Sequence, residues 1–227
     1  MTQLNYIPEG YDRIKVVNDL FSFFTAKFGS KANVVLYPRA LSGDYDALAL
    51  LMADYFNLED EEIFIKYSER EKLEEFKSTL SDEALIQSLN TILDDMECLY
   101  SARVKTHFRL LQNYKIHKDT YKFHVDGLQQ DFDRFMVCYN KPVTQFIKND
   151  DVISISGHDA VCRDGAEIYE FKVGDIWRSR VRNKPKSKAD EFIDSLLKDK
   201  EKRAFVHRAQ YASHPRLMVV GDKALKI

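Results

Sequence analysis

The stretch YKFHVDGLQQDFDRFMVCYN, residues 121–140, sets a histidine and an aspartate two positions apart among aromatic and apolar neighbours. Successive side chains of a strand point to opposite faces, so His124 and Asp126 project together while Tyr121, Phe123 and Val125 project the other way. An imidazole and a carboxylate on one partly buried face are costly to desolvate unless something binds them. Two late residues extend the set: His207 in AFVHRA and Arg216 in HPRLMVV. Two imidazoles and one carboxylate on one side of a metal leave positions open opposite, which is the donor set of non-haem Fe(II) chemistry. Two open positions suit a chelating 2-oxo acid and a third suits dioxygen. A guanidinium then fits the far carboxylate of that acid better than a lysine does, because its planar fork matches the group.

These residues need a scaffold, and the bulk properties permit one. The 227-residue chain is 44% hydrophobic and 12% aromatic, enough for a sizeable core without disulfides. Net charge is -2, which gives no general attraction to nucleic acid, so no nucleic-acid partner is expected. Cys98, Cys138 and Cys162 lie far apart with no metal-type spacing and read as free thiols in a reducing compartment. The first residues lack the pattern of a secretory signal, and no apolar run is long enough for a membrane span. The expected location is the cytoplasm.

The chain changes texture near Lys105. Residues 1–104 read as mainly helical. YDRIKVVNDLFSFFTAKF carries a helical stripe of Ile14, Val17, Leu20, Phe21 and Phe24. NVVLYP is a short strand. LSGDYDALALLMADYF is a helix capped by Ser42 or Asp44 that buries Leu48, Leu51, Met52 and Tyr55. SDEALIQSLNTILDDMECLYSARV, capped by Ser81, has the strongest stripe: Leu85, Leu89, Ile92, Met96 and Leu99. Residues 105–227 read as short strands with turn punctuation, among them THFRLLQNY, TYKFHVD, DRFMVCYN, VTQFI, DVISIS, EIYEFKV, DIWRSRV, AFVHRA and RLMVVG. The expected class is α+β, one domain with a double-stranded β-helix (jelly-roll) core and the helical region packed on it. A polar loop and an amphipathic helix follow Arg182, and a lid over the pocket mouth is the expectation for residues 186–200.

With FHVD, VGDIW, FVHRA and HPRLMVV in this order, the chain resembles the Fe(II)/2-oxoglutarate-dependent oxygenase superfamily, whose jelly-roll core carries HxD, a later His and a final Arg or Lys. From about residue 33 onward it is similar to a bacterial family of unknown function with a comparable FHVD, a Thr-containing strand soon after, a Gly-Asp turn, and VHR followed by PRL. The resemblance implies His124, Asp126 and His207 as iron ligands and Arg216 as the 2-oxoglutarate clamp. It departs from the family's Gly-rich turn at YNKPVTQFI, where Thr144 stands at the matching threonine. The implied activity is hydroxylation of a C–H bond in a small metabolite, amino acid or protein side chain, with dioxygen as co-substrate.

Other residues carry weaker signals. Thr144, Tyr139 and Arg208 are candidate contacts to the co-substrate, and Arg134 and Arg208 are candidate anion contacts. Tyr121 and Tyr139 also suit core packing, as does Trp177. His158 reads as an exposed turn residue, and His214 is an alternative ligand to His207. His107 and His117 lack the spacing. The basic run from Arg178 to Lys188 reads as a solvated loop. Two other functions fit the same residues: a cupin-like dioxygenase that needs no clamp, and a metal- or ligand-binding module without 2-oxoglutarate turnover.

Overall fold

The computed structural model describes residues 6–28, 32–58, 62–112, 118–128, 132–183, 204–212 and 214–224. The expected lid at 186–200 and His117 lie outside them. In chain order the elements are β1 (Ile14–Val16), α1 (Leu20–Thr25), β2 (Val34–Tyr37), α2 (Tyr45–Tyr55), β3 (Glu62–Lys66), α3 (Glu71–Thr79), α4 (Glu83–Ser101) and β4 (Lys105–Leu111). There follow β5 (Gly127–Leu128), β6 (Phe132–Cys138), β7 (Gln145–Ile147), β8 (Val152–Ser156), β9 (Asp159–Cys162), β10 (Ile168–Glu170), β11 (Ile176–Arg180), β12 (Arg182–Asn183), β13 (His207–Arg208) and β14 (Arg216–Ala224). This is an α+β chain whose largest element is a seven-stranded sheet, β1-β2-β11-β6-β14-β4-β3. A second sheet runs β10-β7-β13. It continues through the bridge between His207 and His124, then the bridge between His124 and Asp159 of the β8–β9 hairpin.

The region before Lys105 is less helical than its sequence suggests. The single helix expected over residues 11–28 divides. Ile14–Val16 pairs in parallel with Val34–Leu36, and Asp19 caps a short α1 by accepting from the Ser22 N–H at 2.7 Å. The β-branched Val16-Val17 pair favours the strand, and the Asn18-Asp19 step supplies the cap. Phe23 is then the buried residue of α1, while Phe21, expected in the core, is 78% exposed. β3 closes the opposite edge of the same sheet. The early chain therefore flanks the later strands on both sides.

The remaining helices follow their caps. Asp44, one of the two expected residues, accepts from the Ala47 N–H at 2.9 Å and starts α2. Leu48 and Met52 are buried there, but Leu51 and Tyr55 face outward and Tyr45 and Ala49 take their places. At α4 the cap is Asp82 rather than Ser81, accepting from the Ala84 and Leu85 N–H groups at 2.8 and 3.2 Å. Leu89, Ile92, Met96 and Leu99 are buried as their spacing implies.

Strand parity decides which residues face the helices. Phe135, Val137 and Tyr139 of the β6 segment, Leu217 and Val219 of β14, and Phe108 and Leu110 of β4 pack with the helices in the main core. The other parity, including Met136, Cys138, Arg216, Met218 and Arg109, faces the smaller sheet. Between the sheets at one end, Phe146, Phe171, Trp177 and Phe205 form an aromatic cluster with ring centroids 4.8 to 5.8 Å apart. Each such buried ring contributes on the order of 2–3 kcal/mol. Gly174 opens β11 at φ +89, where an added Cβ would lie 2.6 Å from Leu41 and 2.9 Å from the Arg39 carbonyl.

Helix layer and sheet are pinned by one buried polar group. Asp95 of α4 accepts from Arg39 Nη1 at 2.7 Å and from the Tyr139 hydroxyl at 2.5 Å. Arg39 Nε also donates to the Gly174 carbonyl at 3.1 Å. Replacing Asp95 by Ala strands a guanidinium and a hydroxyl in the interior. The expected loss is about 3 kcal/mol of unfolding free energy, measured from urea denaturation; a loss within a few tenths would contradict this reading of the network.

Candidate metal centre

The backbone of His124 lies between two other segments. His124 and His207 exchange N–H···O bonds of 2.9 and 3.0 Å, while Val125 N–H donates to the His158 carbonyl at 2.9 Å and Ala160 N–H to the Phe123 carbonyl at 2.9 Å. The strand expected over residues 120–126 is in fact a short 3-10 turn, Lys118–Tyr121, followed by this bridged segment. Alternation still operates inside it. Phe123 and Val125 pack outward with Ile147, Ile155 and Val206, and His124 and Asp126 face the large sheet. Tyr121 lies outside the pattern and stacks on Tyr211 at 3.8 Å.

One nitrogen of each histidine and one Asp126 oxygen lie within 4.8 Å of one another, the one such group among the described residues. Both imidazoles are oriented in the same way. His124 Nδ1 bonds the Lys122 carbonyl at 2.8 Å and His207 Nδ1 bonds the Phe205 carbonyl at 3.2 Å. A carbonyl only accepts, so Nδ1 carries the proton in each and the Nε2 lone pair is left for a ligand bond. His207 Nε2 lies 3.7 Å from Asp126 Oδ2. That oxygen is buried and has no hydrogen-bond partner. A bound cation would satisfy such an oxygen.

Electrostatics prepare the same state. Burial pushes His207 down to about 4, against the pull of Asp126, so the imidazole is neutral near pH 7. For Asp126, burial opposes the charge, but Arg134, His207 and His124 outweigh it and hold the carboxyl below its ordinary value. Neutral imidazoles and an ionised carboxylate are the forms that ligate a metal. The residues present therefore fit a divalent cation such as Fe(II), with the remaining positions open to a cavity of about 680 Å3.

Arg216 lines that cavity from β14. It is 2% exposed, yet among the described residues its side chain hydrogen-bonds only through Nη2, to the Cys138 thiol at 3.5 Å, and its Nε has no partner. Asn140 fixes its backbone by donating to the Pro215 carbonyl at 2.9 Å and accepting from the Leu217 N–H at 2.8 Å. Thr144 is also on the wall, its hydroxyl 3.6 Å from the Met136 sulfur.

Of the other two expected co-substrate contacts, Tyr139 lies away from the cavity and Arg208 lines it. Tyr139 is fully buried in the helix-facing core, its hydroxyl on Asp95. It has the parity of Phe135 and Val137, opposite to the cavity. Arg208 borders the cavity, but its guanidinium lies 4.5 Å over the Phe123 ring and donates to Gln145 at 2.9 Å, on the side of β13 away from His207. His214 is exposed and outside the ligand group. His158 sits in the expected turn, between β8 and β9, but is half-buried rather than exposed: it lines the cavity, its Nδ1 on the Val125 carbonyl. Trp177 is core, 1% exposed and edge-on to His207 at 5.9 Å. Arg178, assigned above to a solvated loop, is buried against Asp133 and the end of α1. Arg109, Met136 and Met218 of the cavity wall went unmarked in the sequence, although their strand parity with Arg134 and Arg216 was a usable signal.

No protein-family model matches the chain, and no curated protein matches it. No helix among the described residues is long and apolar enough to cross a membrane.

His107, outside the ligand group, stacks on Phe64 at 4.2 Å. Burial, with Arg109, Arg134 and Lys105 nearby, pushes it from 6.5 down to about 3. The unfolded chain then binds more protons between those two values. The stabilisation is complete above pH 6.5 and is lost as pH falls through that window. His107→Phe keeps the ring stack and should flatten the loss of stability between pH 7 and 4.5; an unchanged slope would contradict the burial of His107 as a neutral ring.

Proposed function

We propose that the protein is an Fe(II)- and 2-oxoglutarate-dependent oxygenase on a jelly-roll core. The fold part rests on strand order. Starting at β4, the chain visits the large sheet, the small sheet at His124, the large sheet at β6, the small sheet at β7 and β10, the large sheet at β11, the small at β13 and the large at β14. That alternation is the path of a double-stranded β-helix, with the β8–β9 hairpin as an insertion.

One observation carries the function: a buried Asp126 oxygen without a hydrogen-bond partner, beside two oriented imidazoles, shares a cavity with a buried guanidinium that has no carboxylate partner among the described residues. Fe(II) in such a donor set supplies the redox chemistry that couples oxidative decarboxylation of 2-oxoglutarate by dioxygen to hydroxylation of a C–H bond. The chain's own residues do the rest. His124 and His207, each with Nδ1 on a backbone carbonyl, present Nε2 to the metal, and Asp126 supplies the single negative charge. Arg216 receives the far carboxylate of the co-substrate, and Thr144, held only by a thioether, has a hydroxyl free to add a hydrogen bond there. Charge supports the assignment. Arg109 pairs with Glu62 and Arg134 with Asp222. Asp126, a divalent metal and Arg216 then sum to about two positive charges, the complement of a dianion.

The cavity volume suits a small metabolite, an amino acid or one protein side chain as primary substrate. Aerobic release of succinate from 2-oxoglutarate, with Fe(II) and ascorbate present, tests the reading without knowledge of that substrate. Wild type should turn over slowly and His124→Ala not at all. Arg216→Ala should require roughly 100-fold more 2-oxoglutarate, as expected for a lost charged hydrogen-bond pair worth about 3 kcal/mol. Equal succinate release by Arg216→Ala and wild type would contradict the clamp role of Arg216, and metal binding without any succinate release would favour the clamp-free dioxygenase or the binding module.

A further inference from the structure

Arg134 stands between two carboxylates. Its Nη1 lies 2.9 Å from Asp126 Oδ1. Its Nε and Nη2 donate to Asp222 Oδ1 and Oδ2 at 2.9 and 3.2 Å. Arg134 and Asp222 are direct cross-strand partners of β6 and β14, so the backbone ladder itself sets the fork against the carboxylate. The consequence falls on Asp126. One of its oxygens is engaged by Arg134 and the other, Oδ2, is left bare toward His207.

We infer that Arg134, locked by Asp222, is a positioning residue that makes Asp126 a one-oxygen metal ligand. By engaging Oδ1 it prevents the carboxylate from turning both oxygens toward the metal, which keeps one coordination position open. The inference rests on the metal part of the reading above and is independent of 2-oxoglutarate. It also links two tasks on one strand, because β14 carries Arg216 at its start and Asp222 near its end.

The two roles Arg134 could play have opposite signs. As a mere nearby positive charge it repels a cation, and its removal should tighten metal binding. As a positioning group its removal should weaken binding, by about 10- to 100-fold for loss of a group that orients a ligand. Co(II), titrated anaerobically into the full chain, is the probe. Trp177, the only tryptophan, has its ring 5.9 Å from that of His207 and reports occupancy by fluorescence quenching. The visible absorption of Co(II) reports coordination number.

The expected result for Arg134→Met is weaker Co(II) binding and a Co(II) spectrum changed in intensity toward higher coordination. Arg134→Lys keeps the charge but loses the fork, and should restore binding only in part. Asp222→Asn should weaken binding in the wild-type background and add nothing in the Arg134→Met background, since it acts through Arg134. Circular dichroism and thermal unfolding check that each variant is folded. If Arg134→Met does not fold, Asp222→Asn decides: unchanged affinity and spectrum overturn the inference. Equal or tighter Co(II) binding by folded Arg134→Met also overturns it while leaving the metal centre intact. Absence of Co(II) binding by wild type removes the metal centre and this inference together.

Discussion

A carboxylate held ionised in the interior is the constraint on which the other features of the site depend. Asp126 is desolvated, and desolvation alone would raise its pKa. It keeps its charge because a guanidinium stands against one oxygen and two imidazoles stand near the other. His207, pushed down to about 4 by burial, is neutral near pH 7, and the Asp126 oxygen beside it has no hydrogen-bond partner among the described residues. A buried, half-satisfied anion is costly as a purely structural device, and this cost is what the proposed cation would offset.

Two sheets are needed to build such a site. The small sheet supplies the candidate ligands, because the His124 segment is bridged to β13 and brings both histidines to adjacent positions. The large sheet supplies the guanidinium groups, because Arg134, Arg216 and Arg109 share the strand parity that faces the cavity. The opposite parity of the large sheet is committed to the helices through Phe135, Val137, Leu217 and Val219. The two functions of that sheet, core and site, are thus separated by the pleat. The Asn140 clamp on either side of Arg216 and the Asp222 fork on Arg134 fix the wall at both ends of β14.

The grouping of His124, Asp126 and His207 was legible in the sequence because it depends on local rules. Alternation places His124 and Asp126 together whatever the rest of the fold does, and AFVHRA and HPRLMVV carry their chemistry in residue type. Tyr139 was misplaced because both faces of β6 are apolar, so the pattern does not tell which side meets the helices. Its shared parity with Phe135 and Val137 was readable; the identity of the layer they meet was not. β1 was read as helix because Ile14, Val17, Leu20 and Phe21 happen to fall at helical spacing, while the pairing that wins, Ile14 with Val34, is non-local. Leu51 and Tyr55 were expected inside α2 for a related reason: the 3.6-residue period fixes a stripe but not its width, and here Tyr45 and Ala49 complete the buried side.

The most direct test of the account is an anaerobic titration of the Fe(II)-loaded protein with 2-oxoglutarate, followed by visible absorption. The account predicts a weak charge-transfer band that saturates with one equivalent of each and is absent in His124→Ala and Arg216→Ala. Folded wild-type protein that binds Fe(II) but gives no band would contradict the assignment of Arg216 and the cavity to a chelating 2-oxo acid. Folded protein that binds no Fe(II) would contradict the metal centre itself.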